Sequence, residues 1–449
     1  MPYIPHGPDE VAQMQAAIGI ADLDALFDEV PPQLGSHDLL LPHGLGEMAL
    51  RREMEERAAA NIPLRCFAGG GAYAHHIPAI VWEIAGRGEL YTAYTPYQAE
   101  ASQGTLQILY EYQSFLTRLT ETEVANASLY DGASALAEAC LMALRLHGEG
   151  KAILVPENLL PAWRQVLDSI LGWQEIPLLG VPYDRQTGRM RLPEGDSDSA
   201  ALIIPQINAF GGLEAVDTLT DWAHARQMLA IAVVNPLALA ILKAPGAWGE
   251  GGADLVVGEG QALGIPLSAG GPFFGFLTCR KAHVRQMPGR LVARTVDAQE
   301  REGFCLTLQA REQHIRRGKA TSNICTNQGL MVTAATIHMA ALGGDGLRRA
   351  AVTCHAQARR LRDLLADVPG TRFPFPGPLF HEFVLRLPRS ARAVRDALLE
   401  RGILAGICLA DWGMGETGDL LVCVTELASD EDLLDYRDAL LVTLKDLPA

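Results

Sequence analysis

Two positions govern what chemistry this chain can carry, and both hold an amide. Asn235 closes the apolar run LAIAVVN, and Gln261 follows the next one, DLVVGEG. An amine at the second place could condense with an aldehyde, and a carboxylate at the first could keep a ring nitrogen protonated. An amide supplies neither function. The five lysines do not make good the loss. Lys243 comes before the second run begins, Lys281 comes only after a third run, and Lys319 lies in the Arg-rich stretch HIRRGKATSN. Lys151 starts a strand from its amino end, and Lys445 sits in the last helix. Asn before Pro at a strand end is also a plain turn former.

Other chemistry-bearing stretches are weaker. Asp131-Gly132-Ala133-Ser134 opens a helix and could cradle a phosphate on its backbone N–H groups, although helix capping explains the same residues. The glycines of GEGGADLVVGEG precede a strand instead of following one, which excludes a dinucleotide fingerprint. No serine stands in a G-x-S-x-G elbow. His75-His76 has no Cys or carboxylate at ligand spacing, so no metal site is expected. The run Tyr91, Tyr94, Thr95, Pro96, Tyr97, Gln98, Glu100, Ser102, Gln103 mixes aromatic faces with polar tips just before a helix. It reads either as a loop reaching into a cleft or as half-buried core.

The elements that must hold these residues follow from periodicity. KAILVP (151–156), ALIIPQ (201–206), LAIAVVN (229–235) and DLVVGE (254–259) alternate with amphipathic segments, which predicts buried parallel strands in a doubly wound sheet. A run at 273–279 adds a strand, 280–319 reads as a polar connector, and 321–342 as a long apolar helix. Beyond it come helix 346–365, strand 381–388, helix 390–401, strand 419–426 and helix 430–445, a small α+β domain, with Ser429 as N-cap of the last helix. The expected organisation is an N-terminal helical extension at 1–65, a large domain at 66–330 and a small domain at 331–449. In the extension, 9–19, 21–30 and 47–61 carry helical spacing; the charged third segment either packs on another subunit or lies solvated.

With 449 residues, 49% hydrophobic and 20% charged, the chain can bury more than one core. A net charge of −16 without a basic stripe argues against nucleic acid. No signal peptide is read in MPYIPHGPDE and no apolar run of membrane-spanning length, so reduced thiols for the eight cysteines and a cytoplasmic location are expected.

Strand, polar residue, strand, glycine turn, strand is the order in which pyridoxal phosphate (PLP) enzymes of the aspartate aminotransferase type assemble their cofactor site, here with the chemistry removed. Four stretches carry a closer likeness: IPHGPDEVAQMQAAIGIADLDALF, YTAYTPYQAEASQGTLQILYEYQS, DLVVGEGQALGIPLSAGGPFFGF and LQAREQHIRRGKATSNICTNQ. With them the chain resembles the glycine cleavage system P-protein, in particular subunit 1 of its split form. The resemblance implies a PLP-dependent transferase type I fold with a large, mostly parallel sheet. It implies PLP on the lysine of a separate subunit 2, an αβ pair that dimerises to α2β2, and the lipoylated H-protein as acceptor. The reaction implied is glycine decarboxylation, CO2 release and aminomethyl transfer to the lipoyl group. On that reading this chain holds no catalytic, covalent cofactor or metal residue. Tyr94, Tyr97, Glu100, Ser102, Gln103 and Asn323 are candidates for lining the partner's cleft. Two alternatives stand beside it: a self-sufficient PLP-dependent amino-acid decarboxylase or aminotransferase using an unexpected lysine, and a binding protein that kept only the fold.

Overall fold

The computed structural model describes residues 6–34, 40–147, 151–192 and 198–447. The chain divides into two compact units, Met1–Ile62 and Pro63–Ala449. The first unit contains helices α1 (Pro8–Ile18) and α2 (Glu47–Ala59), and neither buries a side chain. Pro8 in the first turn and Gly19 in the left-handed region bound α1. Arg51–Glu55 and Glu53–Arg57 pairs brace α2 at one-turn spacing. The helix expected at 21–30 is reduced to a 3₁₀ turn at Asp24–Phe27. The Asp22 carboxylate takes the backbone N–H groups of Asp24 and Ala25, and Pro31 follows shortly after.

The second unit is built on a seven-stranded sheet. Its strands are β1 (Val124–Ala125), β2 (Ala152–Pro156), β3 (Leu178–Val181), β4 (Ser199–Pro205), β5 (Leu229–Val234), β6 (Leu255–Glu259) and β7 (Gly275–Cys279). They lie in the order β1-β7-β6-β5-β4-β2-β3. From β6 to β3 every neighbour is parallel; β7 and β1 are antiparallel at one edge. Strands β2, β4 and β7 are buried from end to end, as their unbroken apolar runs require.

Helices cover both faces: α3 (Ala79–Ala85) and α4 (Gln103–Thr120) join one core, while α5 (Gly132–His147) and α6 (Pro161–Leu171) join the other. Helix α7 (Val216–His224) returns the chain from β4 to β5 and adds Leu219 and Ala223 to the first core. The region read as a polar connector contains a hairpin, β8 (Leu291–Val296) against β9 (Glu302–Thr307).

Helix α8 (Gly329–Ala366) bends where Gly343 leaves helical geometry at φ 62°. Its first half enters a core of the large sheet through Met331, Val332 and Ala335. Its second half packs Ala358, Leu361 and Leu365 into the core of the small sheet. Among the described residues it is the one helix long and apolar enough to cross a membrane, a length the sequence reading did not see. Half of its most apolar window is buried in the protein, which accounts for that apolarity. The small sheet runs β10 (Glu382–Arg386), β12 (Asp419–Cys423), β11 (Ile407–Cys408), all antiparallel, under α9 (Ala391–Leu399) and α10 (Asp430–Asp446). Ser429 caps α10 through its hydroxyl, and Asp432 returns the bond to the Ser429 N–H. All eight cysteines are free thiols.

Candidate functional site

The carboxyl edge of β4, β5 and β6 is where a sheet of this kind holds a ligand. Asn235 stands directly after β5 and Gln261 two residues after β6. Gln261 is buried and has its side chain fully used. Its Oε1 accepts from the Tyr73 N–H, and its Nε2 donates to the Tyr73 and Ile265 carbonyls, each bond 2.8 Å long. The amide is a clamp joining the Gly-rich segment before α3 to the turn after β6. Asn235 turns its Oδ1 onto the N–H groups of Leu237 (2.9 Å) and Ala238 (3.4 Å), the turn role its type favours.

The helix terminus is also taken. Glu259, the last residue of β6, accepts the Gly132 N–H at 2.9 Å and so places its own carboxylate at the start of α5. Asp131 and Ser134 bond each other's backbone N–H groups, so the capping explanation of that stretch holds. Burial pushes the Glu259 carboxyl up to about 7; Asp131 adds to this and the Gly132 N–H opposes it. A Cβ at Gly132 would stand 2.7 Å from the Trp163 ring and 2.8 Å from the Glu259 backbone nitrogen, so only glycine lets these meet.

Opposite lies Glu382, fully buried, accepting from the Gly70 N–H (2.7 Å) and the Tyr73 hydroxyl (2.9 Å). Burial raises it to about 7 as well. The Tyr73 ring meets His381 at a tilt of 55° with ring centres 4.5 Å apart, and burial holds the His381 imidazole well below the usual histidine range and therefore neutral. The space left between Tyr73, Trp163, Asn235, Glu259, Gln261 and Glu382 is about 50 Å³, room for a few waters. PLP does not fit this crevice: no amine faces it, no carboxylate stands at 235, and the phosphate place is occupied by Glu259.

Five of the six predicted cleft residues are exposed. Tyr94 is 83% exposed, and Glu100, Gln103 and Asn323 are exposed, with Ser102 half-buried. Gln103 clamps the hairpin instead, bonding both the N–H and the carbonyl of Phe304 at 2.8 Å. Tyr97 is the residue of the set that joins a polar site. Its hydroxyl accepts from Arg290 Nη2 at 2.9 Å, the guanidinium lies 5.1 Å from its ring centre, and His314 meets its edge. Arg290 is 3% exposed, with Nε and Nη1 free of hydrogen bonds. It lines a cavity of about 10 Å³ with Ser128, Arg311, Glu312, Ser322 and Asn327, beside which Asn323 sits on the surface. Sequence reasoning missed Arg290 because it lies inside the stretch read as connector.

A second omission concerns His75. The sequence offered it no ligand partner nearby, yet the fold brings Glu426 to 2.8 Å from its Nδ1, and Cys354 Sγ to 3.0 Å from the same carboxylate oxygen.

The family model of the glycine cleavage system P-protein matches residues 1–440. The chain belongs to that family. It is 56% identical over 99% of its length to a Methylococcus capsulatus protein named probable glycine dehydrogenase (decarboxylating) subunit 1, all of which is covered. A solved structure of a glycine decarboxylase (P-protein) of the glycine cleavage system, in inhibitor-bound form, is 44% identical. It superposes with a TM-score of 0.90, covering 99% of this chain and all of that one. A Burkholderia pseudomallei sphingosine-1-phosphate lyase, 14% identical, superposes with a TM-score of 0.65 over 92% of this chain and 93% of its own. The fold is that of the PLP-dependent transferases, with a mostly parallel central sheet. Within this P-protein family member, the crevice at β5 and β6 is lined by Tyr73, Trp163, Asn235, Glu259, Gln261 and Glu382.

Proposed function

We infer that this chain is subunit 1 of a two-chain glycine dehydrogenase (decarboxylating), the half that carries no cofactor and completes its partner. The observation that carries this reading is the Gln261 amide, locked by three 2.8 Å bonds two residues after β6, where the resemblance leads one to expect a Schiff-base lysine. Its relatives' shared name, subunit 1, supports a partner subunit. On this reading PLP sits in that partner, an αβ pair doubles to α2β2 in the cytoplasm, and the aminomethyl group of glycine passes to the lipoyl arm of an H-protein.

This chain's own contribution is to shape and close the partner's cleft. Tyr94, Tyr97 and Asn323 are exposed and carry hydrogen-bonding tips. Behind Tyr97, Arg290 donates to the Tyr97 hydroxyl and stands 3.8 Å from the Glu312 carboxylate, so its charge is balanced within this chain and holds Tyr97 in place at the surface. Glycine decarboxylation should be absent when this chain is assayed alone. It should appear on addition of the cofactor-carrying subunit and lipoylated carrier. Turnover of glycine by this chain alone would favour the self-sufficient enzyme instead.

A further inference from the structure

We propose that His75, Cys354 and Glu426 form a binding site for a divalent transition metal, zinc being the best match. Three segments far apart in sequence bring Nδ1 or Nε2, Sγ and a carboxylate oxygen within 4.8 Å of one another. The closest pairs are His75 Nδ1 to Glu426 Oε2 at 2.8 Å and Cys354 Sγ to the same oxygen at 3.0 Å. Zinc bonds of about 2.0–2.3 Å need donors somewhat further apart, an opening of about half an ångström that rotation of three side chains supplies.

The donor set is selective. Thiolate with imidazole favours zinc over calcium or magnesium, which prefer all-oxygen cages. Charge agrees: neutral imidazole, thiolate and carboxylate balance a divalent ion, as a largely buried site requires. Binding breaks the Cys354 S–H bond, forms a metal–sulfur bond and releases one proton, while neutral His75 keeps its one proton on the ring nitrogen that does not bind the metal. No electrons are exchanged. The His76 N–H donates to Glu426 Oε1 at 2.7 Å and fixes the carboxylate from behind, an orienting contact of the kind metal sites use. The His75 side chain is 4% exposed and Glu426 14%, so solvent reaches the cluster on the Glu426 side, where water completes the fourth position. A buried thiol used only as a weak hydrogen-bond donor is the alternative.

The test uses the full-length untagged chain with exposed Cys66 and Cys325 changed to serine, stripped with chelator and titrated with cobalt(II) as spectroscopic stand-in and with zinc(II) in competition with a chromophoric chelator. One equivalent of cobalt should bind with a thiolate-to-metal absorption band. Cys354→Ser should abolish the band and weaken zinc binding by more than about 100-fold, beyond the ~10–100-fold that losing an outer contact costs. His75→Gln should weaken zinc binding comparably, and Cys423→Ser should change nothing. The proposal is overturned if the chain shows no thiolate band, or if Cys354→Ser and His75→Gln, folded by circular dichroism, bind zinc as the parent does. The readout needs no partner subunit and is independent of the decarboxylase reading.

Discussion

Replacing Gln261 by lysine asks whether the crevice is one residue short of a cofactor site or is closed throughout. The Tyr73 N–H would lose its acceptor, which costs about 1–3 kcal/mol for a buried donor. The ammonium would enter a pocket where Gln261 is 2% exposed, a penalty of several kcal/mol, partly offset by the Tyr73 and Ile265 carbonyls that now bind Nε2. The net expectation for Q261K is a loss of about 3–5 kcal/mol, read as a fall of roughly 3–6 °C in melting temperature for a chain of this length. No PLP should be trapped at position 261 when the soaked variant is treated with borohydride, because Glu259 still occupies the start of α5 and Asn235 still carries no charge. A variant that melts within a degree of the parent and takes up one PLP would refute the closed-crevice reasoning.

Three further outcomes follow from the same geometry. The Glu382 carboxyl, raised by burial from an ordinary 4.5 to about 7, favours folding fully below pH 4.5, and that contribution is lost as pH rises to about 7. Glu382→Gln keeps partners for Gly70 and Tyr73 and should therefore gain up to about 3 kcal/mol over the parent at pH 8 but little at pH 4.5, measured by unfolding at the two pH values. Tyr94→Ala, at an 83% exposed position, should leave the melting temperature of this chain unchanged. The same change should weaken association with the partner subunit by about tenfold or more, measured by titration calorimetry. Arg290→Gln leaves the Glu312 carboxylate without its cation, 3.8 Å away, and weakens the anchor of Tyr97, so it should destabilise this chain by about 1–3 kcal/mol and lower glycine decarboxylation in the reconstituted pair.

Much of the large domain was legible because a parallel sheet buried on both faces leaves unbroken apolar runs, as in 152–156, 199–205 and 229–234. The hairpin 291–307 was not legible: Arg294 and Thr295 in its first strand and Arg301 in its turn are exposed, and these polar residues hide the alternation. The edge strand is short as well: only Val124–Ala125 pairs along the sheet, with Leu129 bridging to Gly275. For the site, the missing lysine and aspartate were visible directly, since both lie on consecutive strand ends. What fills the crevice was hidden for two reasons. Glu259 looks like the polar end of a strand, and Glu382 reaches Tyr73 from 309 residues away in the chain. The His75 cluster joins residues 351 positions apart, and no local spacing can announce such a meeting.

The most direct test of a cofactor-less half is borohydride trapping on the active complex of this chain with its partner subunit, followed by peptide mapping of both. All of the label should appear on a lysine of the partner, with none on Lys151, Lys243, Lys281, Lys319 or Lys445 of this chain. Stoichiometric label on any of those five would contradict the assignment.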